Sequence, residues 1–462
     1  MAEPVGFDGI DGTPPAGLSP TDAQLWRDAV GVLDRNWERG WTVPSRRLYP
    51  HQWSWDSAFI AVGWARVAPE RGRRELETLL GAQWTDGRVP QIVFNPATPR
   101  DAYFPGPDFW RSADVPEAPR QETSGIVQPP VHAAAAWLVH QADPVAGRPF
   151  LRRIYPKLVA QHEYLARHRT NAEGLAVIVH PWESGLDNSP SWDAELAGVP
   201  VGRGGPQTVP GRRRDLDHAE PGERPTDLDY ARYIALVEHY RDHGYRDADA
   251  LPSHRFVVAD PLFNALLAWS EEALARIARV VGRRARPHRR RAHAVRDAML
   301  AHLYDPGEAI FVARGRDGTP GAAHSIGGIV PILLDLPENV VDTLLRHAGG
   351  PRFALSDRMP LPSYDRTHPG FDSTRYWRGP AWINTSWLVL RGLERHGRRD
   401  EAAMLRSALT TAVRTGGFRE YFDPVARTGH GCQDFSWTAA LVLDVLARGL
   451  LKPTRRRRLT PV

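Results

Sequence analysis

Two carboxylates far apart in the chain lie in segments rich in aromatic residues, glycine and proline, and their surroundings suit acid–base chemistry. Asp187 lies in HPWESGLDNSPSWD and Glu420 in GFREYFDPVARTGHG. Trp182 and Trp192, each five residues from Asp187, could form a low-dielectric wall that keeps its carboxyl protonated. Charged and hydroxyl side chains flank Glu420 in the sequence, and such a polar setting favours the ionised form.

A protonated and an ionised carboxyl group can together cleave a glycosidic bond. That bond breaks through an oxocarbenium-like state, which needs a proton on the leaving oxygen and an activated water or nucleophile on the opposite side. The two environments predict Asp187 as the general acid and Glu420 as the group that stays charged. Each motif alone favours an ordinary loop carboxylate, because Asp-Asn-Ser-Pro and Asp-Pro are common turn sequences.

A third segment, LYPHQWSWDSAF, combines aromatic rings with a carboxylate, as sugar-binding sites do. Tyr49, Trp53 and Trp55 offer flat apolar faces that suit the C–H faces of a pyranose. Asp56 could accept hydrogen bonds from two sugar hydroxyls. The alternative is that Asp56 caps a helix over 57–67 and that the tryptophans belong to the core.

A fourth segment, FDSTRYWRGPAWINTSW, has the same character. Tyr376, Trp377 and Trp382 surround Arg378 and a Gly-Pro pair. Tryptophan makes up 16 of the 462 residues, and much of this excess over ordinary usage lies in the four segments. This concentration favours binding faces over a purely structural role.

Apolar residues recur at helical spacing along most of the chain. The segments with this pattern are 22–38, 57–67, 71–83, 130–142, 148–168, 227–243, 260–282, 289–304, 324–334, 337–347, 380–396, 399–414 and 435–450. Long connections rich in proline, glycine and aromatic residues separate some of them, at 84–128, 183–226, 305–323 and 350–379. Loops of that length in a compact domain are usually functional. The pattern predicts an all-α protein with its chemistry on loops at one end.

Composition sets further bounds. No break in composition divides the chain, which predicts a single domain over 21–450, a disordered lead over 1–20 and a basic tail over 451–462. The chain has one cysteine, Cys432, so an intramolecular disulfide and a cysteine-based metal framework are excluded. None of the 18 histidines lies in an HExxH motif or another ligand spacing, and no metal or cofactor is predicted.

Charge and hydropathy argue against two classes of partner. The net charge is +5, and nearly all of the positive charge comes from arginine, because Lys157 and Lys452 are the only lysines. Two arginine-rich runs lie at 283–291 and 455–458. Neither run has interleaved aromatic residues for base stacking, so solvated surface charge is favoured over nucleic-acid binding. No stretch of about 18 apolar residues predicts a membrane span, and no secretory leader is evident. A cytoplasmic location is predicted, and homo-oligomerisation is left open.

Seven ordered motifs resemble the short, single-domain bacterial members of glycoside hydrolase family 63, which include mannosylglycerate and glucosylglycerate hydrolases. The motifs are YPHQWSWDSAF, YFPGP, QPPVHA, HPWESGLDNSPSWD, RPTDLDYARY, RYWRGPAWINTSW and EYFDP followed by FSWTA. They run in order from about residue 22 to 450, nearly the whole chain. The resemblance implies an (α/α)6 barrel and an inverting α-glycosidase, with a small substrate such as glucosylglycerate or mannosylglycerate.

The resemblance also implies roles for individual residues. Asp187 would be the general acid, Glu420 the general base and Asp56 the holder of hydroxyls in the first sugar subsite. Side chains that would wall or close this pocket are Tyr49, Trp53, Trp55, Tyr103, Gln128, Trp182, Tyr376, Trp377 and Trp382. Arg224 and Tyr230 resemble residues that face the aglycone in the glycerate-specific members, and a planar guanidinium suits a carboxylate. Arg224 could equally steady a helix that Thr226 or Asp227 caps.

Three alternatives stay open at this point, one of which is a lyase or phosphorylase on a related barrel, in which phosphate could replace the attacking water. An α-glucosidase of the trehalase type would use the same barrel and the same two carboxylates on a disaccharide or oligosaccharide. A non-catalytic carbohydrate-binding protein would not need the carboxylates. The segment after Glu420 also departs from the family pattern, since His430, Cys432, Gln433 and Asp434 match no motif.

Overall fold

Twelve α-helices of 11 or more residues make up most of the part of the chain that the structure describes. The structure is a computed structural model, and it describes residue 10 and residues 12–38, 40–202, 213–217 and 219–450. The helices are α1 (Pro20–Arg35), α2 (Ser54–Val67), α3 (Pro69–Gly81), α4 (His132–Ala142), α5 (Pro144–His168), α6 (Asp227–Asp242), α7 (Pro261–Val280), α8 (Arg286–His302), α9 (Glu338–Gly349), α10 (Ile383–His396), α11 (Arg399–Gly416) and α12 (Ser436–Gly449).

Five of these helices and one 3-10 segment form a closed inner ring. In order around the ring they are α2, α4, α7, the 3-10 turns Ile326–Gly328 and Val330–Leu333, α10 and α12, and α12 packs back on α2. In the outer layer α1 packs on α12, α3 on α2, α5 on α4, α8 on α7 and α11 on α10. The chain alternates between the two layers, and the fold is the all-α (α/α)6 barrel that the resemblance implied.

The sequences of the two layers explain their positions. In α2 (SWDSAFIAVGWARV) and α12 (SWTAALVLDVLARG) almost every residue is buried, because an inner helix is covered on all sides. The outer helix α3 (PERGRRELETLLG) buries mainly one stripe, which includes Leu76, Leu79 and Leu80. Inner helices are therefore apolar all round, whereas outer helices are amphipathic.

One predicted segment differs from the expectation in its secondary structure. The segment 324–334 lies in the inner ring but forms 3-10 turns instead of the predicted α-helix. Gly327, Gly328 and Pro331 explain this, because glycine and proline disfavour a continuous α-helix. Helix α6 forms as predicted, with Thr226 as its cap, but it packs over the loops at one end of the barrel, where its Tyr230 and Tyr233 contact Trp182.

Short antiparallel strand pairs brace the loops. They are β1 (Gln52–Trp53) with β2 (Ile92–Val93), β3 (Val258–Ala259) with β6 (Arg314–Gly315), β4 (Tyr304–Asp305) with β5 (Ile310–Phe311), and β7 (Tyr421–Phe422) with β8 (Gly429–His430). The β1 strand leads directly into α2, so the pair fixes the point at which the chain joins that inner helix. Within the described ranges no helix is long and apolar enough to cross a membrane.

The predicted ends of the chain are only partly described. Of the lead over 1–20, residues 1–9 and 11 lie outside the described residues, and α1 begins at Pro20 with Ser19 as its cap. The predicted basic tail over 451–462 lies wholly outside them, including the arginine run at 455–458.

Candidate active site

A cavity lies at the end of the barrel where the inner helices begin. Asp56 lines it from the first turn of α2, Gln128 from just before α4 and Trp437 from the first turn of α12. Its empty space, with the open mouth included, is about 850 Å³.

Thirteen of the fourteen residues named from the sequence line this cavity. They are Tyr49, Trp53, Trp55, Asp56, Tyr103, Gln128, Trp182, Asp187, Arg224, Tyr230, Tyr376, Trp377 and Glu420. Trp382 differs: its ring is fully buried and lies behind that of Trp377, with the two centroids 3.8 Å apart and the planes 5° from parallel. In place of the expected wall position, Trp382 supports Trp377 from behind.

Asp187 lies on a tight loop between 3-10 turns at Pro181–Ser184 and Pro190–Trp192. Gly185 makes this loop possible, because its φ is +74° and a Cβ there would lie 2.5 Å from the ring of Trp55. The pKa of the Asp187 carboxyl is raised from 3.8 to about 8, mainly by burial and in smaller part by the negative charge of Glu420, with Arg224 acting in the opposite direction. The carboxyl is therefore protonated at neutral pH.

A buried ion-pair network fixes the loop that carries Asp187. Glu183, four residues earlier, is fully buried and pairs with Arg169 at 2.8 Å. It also accepts main-chain hydrogen bonds from Val127 and Val179. Since Val127 precedes Gln128, one carboxylate ties two cavity loops together. No sequence pattern signalled this role beyond the WESG letters themselves.

Glu420 lies at the start of the β7–β8 hairpin, and its carboxylate is surrounded by donors. Its Oε1 accepts hydrogen bonds from the hydroxyls of Tyr49 at 2.9 Å and Tyr376 at 3.2 Å. Its Oε2 accepts from Arg224 at 3.2 Å and from the main-chain N–H of Cys432 at 3.1 Å. Four donors on a carboxylate that is only 1% exposed stabilise its negative charge.

The third carboxyl group at the cavity is Asp56. The helix α2 begins at Ser54, so Asp56 is in its first turn and is not its cap, which corrects the alternative derived from sequence. Burial raises its pKa well above 3.8, and Glu420 and Asp187 raise it further. The three carboxyl groups therefore influence one another across the same cavity. Next to Asp56, the main-chain N–H of Trp55 donates to the amide oxygen of Gln128 at 3.1 Å.

Arg224 lies between the 3-10 turn Pro221–Glu223 and helix α6, and its guanidinium reaches the cavity. It lies 4.5 Å above the ring of Tyr376 and pairs with Glu420, while Nη1 is 3.5 Å from the Tyr49 hydroxyl. Its Nε–H is buried and has no partner among the described residues. A buried guanidinium donor without an acceptor is costly unless a ligand supplies one.

Aromatic side chains form much of the remaining wall. The rings of Tyr49 and Tyr103 each lie edge-on against Trp53, with centroids 5.2 and 5.1 Å away. On the other side Trp182 packs against Tyr230, whose hydroxyl donates to the main-chain oxygen of Phe104 at 2.9 Å. These rings present flat apolar faces to the cavity.

Sequence reasoning missed several lining residues. They are Pro44, Gln91, Phe104, Gly185, Arg214, Asp215, Pro225, Tyr233, Phe435 and Trp437. Trp437 lies in the FSWTA part of the last motif, and its ring lies edge-on to Trp55 at 5.6 Å. That motif was the available signal for Phe435 and Trp437, whereas Arg214 and Asp215 lie in a loop that matches no motif.

The described residues hold no group of three or more His, Cys, Asp or Glu side chains placed to bind a metal ion. The carboxylate of Glu420 faces hydroxyl and guanidinium donors instead. The site as described is suited to acid–base chemistry.

Comparisons with known proteins point to the same chemistry. The family of mannosylglycerate hydrolase MGH1-like glycoside hydrolase domains matches residues 49–438. The mannosylglycerate hydrolase of Rubrobacter radiotolerans is 42% identical over 94% of this chain and 99% of its own. The glucosylglycerate hydrolase of Mycolicibacterium hassiacum is 35% identical over 92% and 98%.

A solved structure agrees with the fold. The family 63 mannosylglycerate hydrolase of Thermus thermophilus, in complex with Tris and D-glycerate, superposes with a TM-score of 0.84 and 38% identity. The match covers 91% of this chain and 99% of that one.

Proposed function

The chain belongs to the mannosylglycerate hydrolase MGH1-like glycoside hydrolases and is a glycosidase, and from this premise we propose the reaction and the substrate class. We propose an inverting α-glycoside hydrolase that acts on a small α-glycoside with an acidic aglycone, such as mannosylglycerate or glucosylglycerate. The observation that carries this proposal is the pair of carboxyl groups at one cavity: burial raises the pKa of Asp187 to about 8, and Glu420 is paired with Arg224.

Asp187 would act as the general acid. Its raised pKa of about 8 keeps a proton available at neutral pH, which Asp187 can transfer to the glycosidic oxygen as the bond to the anomeric carbon breaks. The glycosidic oxygen then leaves with the aglycone as a neutral hydroxyl group. The low-dielectric surroundings, which include Trp182 and Trp55, are the physical cause of this proton retention.

Glu420 would act as the general base. It would accept a proton from a water molecule whose oxygen attacks the anomeric carbon from the side opposite to the leaving group. Arg224, Tyr49 and Tyr376 hold its charge in place until that step. Inversion requires the two carboxyl groups to be about 6.5–9.5 Å apart, which leaves room for the water.

The sugar would lie between Asp56 and the aromatic walls. The buried Asp56 carboxyl can bind two hydroxyls, while Trp53 and Trp377 offer faces to the C–H groups of the ring. Tyr103 and Gln128, from the long loop 84–128 and its end, would close the sugar in.

An acidic aglycone is favoured by Arg224. Its buried Nε–H has no partner among the described residues, and a carboxylate in the cavity would supply the missing acceptor. A neutral disaccharide, the substrate of the trehalase-type alternative, would offer only a hydroxyl there. The non-catalytic alternative is set aside, because the family is one of glycoside hydrolases.

A substrate panel tests the proposal. Purified protein would be incubated with mannosylglycerate, glucosylglycerate, trehalose, maltose and kojibiose, and the released sugar would be measured. We expect release from a glycerate glycoside, and release only from a disaccharide would move the protein to the α-glucosidase alternative. Asp187→Asn serves as the control, since release at the wild-type rate from this variant would come from a contaminant.

The setting of the reaction stays a prediction. We propose a cytoplasmic location and a small carbohydrate as the partner, supported by the single cysteine and the size of the cavity.

A further inference from the structure

Arg224 and Glu420 are in contact inside the catalytic cavity, and the residues next to them in sequence are in contact outside it. Glu223 precedes Arg224, and Tyr421 follows Glu420. The Tyr421 hydroxyl donates to Oε2 of Glu223 at 3.0 Å. The other carboxylate oxygen, Oε1, lies 3.1 Å from Nδ1 of His430, a residue in the segment that matches no motif of the family.

His430 is fixed for this contact by the β7–β8 hairpin. It is the direct cross-strand partner of Tyr421, and the two rings are stacked 17° from parallel. Its other ring nitrogen, Nε2, lies 2.9 Å from the hydroxyl of Thr428. A carboxylate only accepts hydrogen bonds, so Nδ1 must carry the proton toward Glu223.

The contacts close a cycle around the base. Within the cavity Arg224 pairs with Glu420, and outside it Glu223 is held by both residues of the Tyr421–His430 pair. The main-chain oxygen of Glu223 also accepts from the N–H of Tyr376, whose hydroxyl donates to Glu420. Moving Glu223 would therefore move two of the four donors on the base.

His430 and Glu223 face a second, more open cavity. Its lining includes the charged residues Arg47, Asp217, Glu220 and Arg419. The side chains of His430 and Glu223 are 23% and 16% exposed, so water reaches the pair. The substrate cavity lies on the other side of the hairpin, because Glu420 and Tyr376 line that one.

We propose that His430 is a positioning residue. Through Glu223 it holds Arg224 against Glu420 and so sets the geometry of the general base and of the aglycone contact. The inference rests on the proposed function, because it assigns a support to residues of that site. The role is not one of contact with substrate, since His430 lines the second cavity and not the substrate cavity.

Two substitutions of His430 separate positioning from a general structural role. The amide nitrogen of asparagine can occupy the place of Nδ1, whereas that of glutamine occupies the place of Nε2. His430→Asn therefore keeps a donor for Glu223, and His430→Gln keeps only the contact with Thr428. His293→Gln, on the exposed face of α8, is the matched control.

The variants are compared on the panel substrate that the wild type hydrolyses fastest. We expect His430→Gln to lower kcat/KM about tenfold, less than the roughly 10²-fold that a 1 Å misplacement can cost, while His430→Asn and His293→Gln stay within about twofold. In an Arg224→Lys background, His430→Gln should add little, because the two residues act in one chain of contacts. Equal loss in both His430 variants, or full additivity with Arg224→Lys, would overturn the inference.

Crystal structures give a readout that does not depend on turnover. The Arg224–Glu420 contact should persist in His430→Asn and lengthen in His430→Gln. If the wild type hydrolysed nothing on the panel, the proposed function would fail, and the structures alone would decide the positioning role. An unchanged contact in His430→Gln would contradict it.

Discussion

Replacing Asp187 by asparagine removes the acid proton but keeps the size and polarity of the side chain. We expect kcat to fall by roughly 10²–10⁴-fold, the usual contribution of general acid–base catalysis. We also expect the variant to be more stable than the wild type near neutral pH. The reason is that folding forces the wild-type carboxyl to keep a proton that the unfolded chain releases.

The size of this stability difference follows from the pKa. The Asp187 pKa rises from 3.8 in the unfolded chain to about 8 in the folded one, so at pH 7 the unfolded chain has lost the proton and the folded chain holds it. The interval between pH 7 and the unfolded pKa of 3.8 is 3.2 units (7 − 3.8), and it corresponds to about 4 kcal/mol in the free energy of unfolding.

The sign of the pH dependence is definite. Below pH 3.8 both states of the wild type are protonated and the difference from the variant is smallest. Wild-type stability then falls relative to the variant as the pH rises, and the difference levels off above a pH of about 8, the folded pKa of Asp187. With an unfolding entropy of roughly 1 kcal/mol/K for a chain of this length, about 4 kcal/mol is a Tm difference of about 4 °C.

The assay is thermal unfolding of both proteins between pH 4 and 9, together with kcat of the wild type over the same range. The Tm difference should grow with pH, and kcat should decline as the pH passes about 8, where Asp187 loses its proton. A Tm difference that is the same at pH 4 and pH 8, or activity that persists unchanged at pH 9 and above, would refute the assignment of Asp187 as the buried acid.

Three further substitutions test other parts of the site. Glu420→Gln should lower kcat by roughly 10²–10⁴-fold without loss of fold, measured by turnover and circular dichroism, and wild-type turnover would remove Glu420 from the mechanism. Gly185→Ala should lower the free energy of unfolding by about 1–3 kcal/mol, because the backbone φ there is +74° and the added Cβ would clash with the ring of Trp55. Denaturant unfolding measures this loss, and an unchanged midpoint would contradict the packing. Glu183→Ala should cost about 3–5 kcal/mol, because it removes one of the two buried carboxylates that pair with Arg169 and leaves the main-chain N–H groups of Val127 and Val179 without their acceptor. A stable, active variant would contradict the network's role.

The helical architecture could be predicted from sequence because inner and outer helices bury continuous apolar faces. Most segments with helical periodicity formed α-helices within a few residues of their predicted bounds. The segment 324–334 shows the limit: its apolar periodicity predicted an α-helix, whereas Gly327, Gly328 and Pro331 favour the 3-10 turns that the structure has there. Periodicity also could not show that α6 packs over the loops at the end of the barrel, since an amphipathic pattern does not specify which element the apolar face packs against.

At the site, the local sequence identified most of the residues that line the cavity. It was less successful in identifying the side chains that contact them. The polar setting of Glu420 was predicted from its sequence neighbours, but its donors come mainly from Tyr49, Arg224 and Tyr376. Likewise Trp192, expected beside Asp187, packs against Phe256 instead. Such contacts join segments far apart in the chain, and no local sequence pattern indicates which distant segments meet.

The most direct test of the inverting mechanism is the anomeric configuration of the sugar at the moment of release. Proton NMR of the reaction on the preferred α-glycoside, recorded before mutarotation is complete, distinguishes the two outcomes. The β-anomer as the first product is predicted, because water activated by Glu420 attacks opposite to the group that Asp187 protonates. The α-anomer as the first product would mean a retaining mechanism and would contradict the roles given to both carboxyl groups.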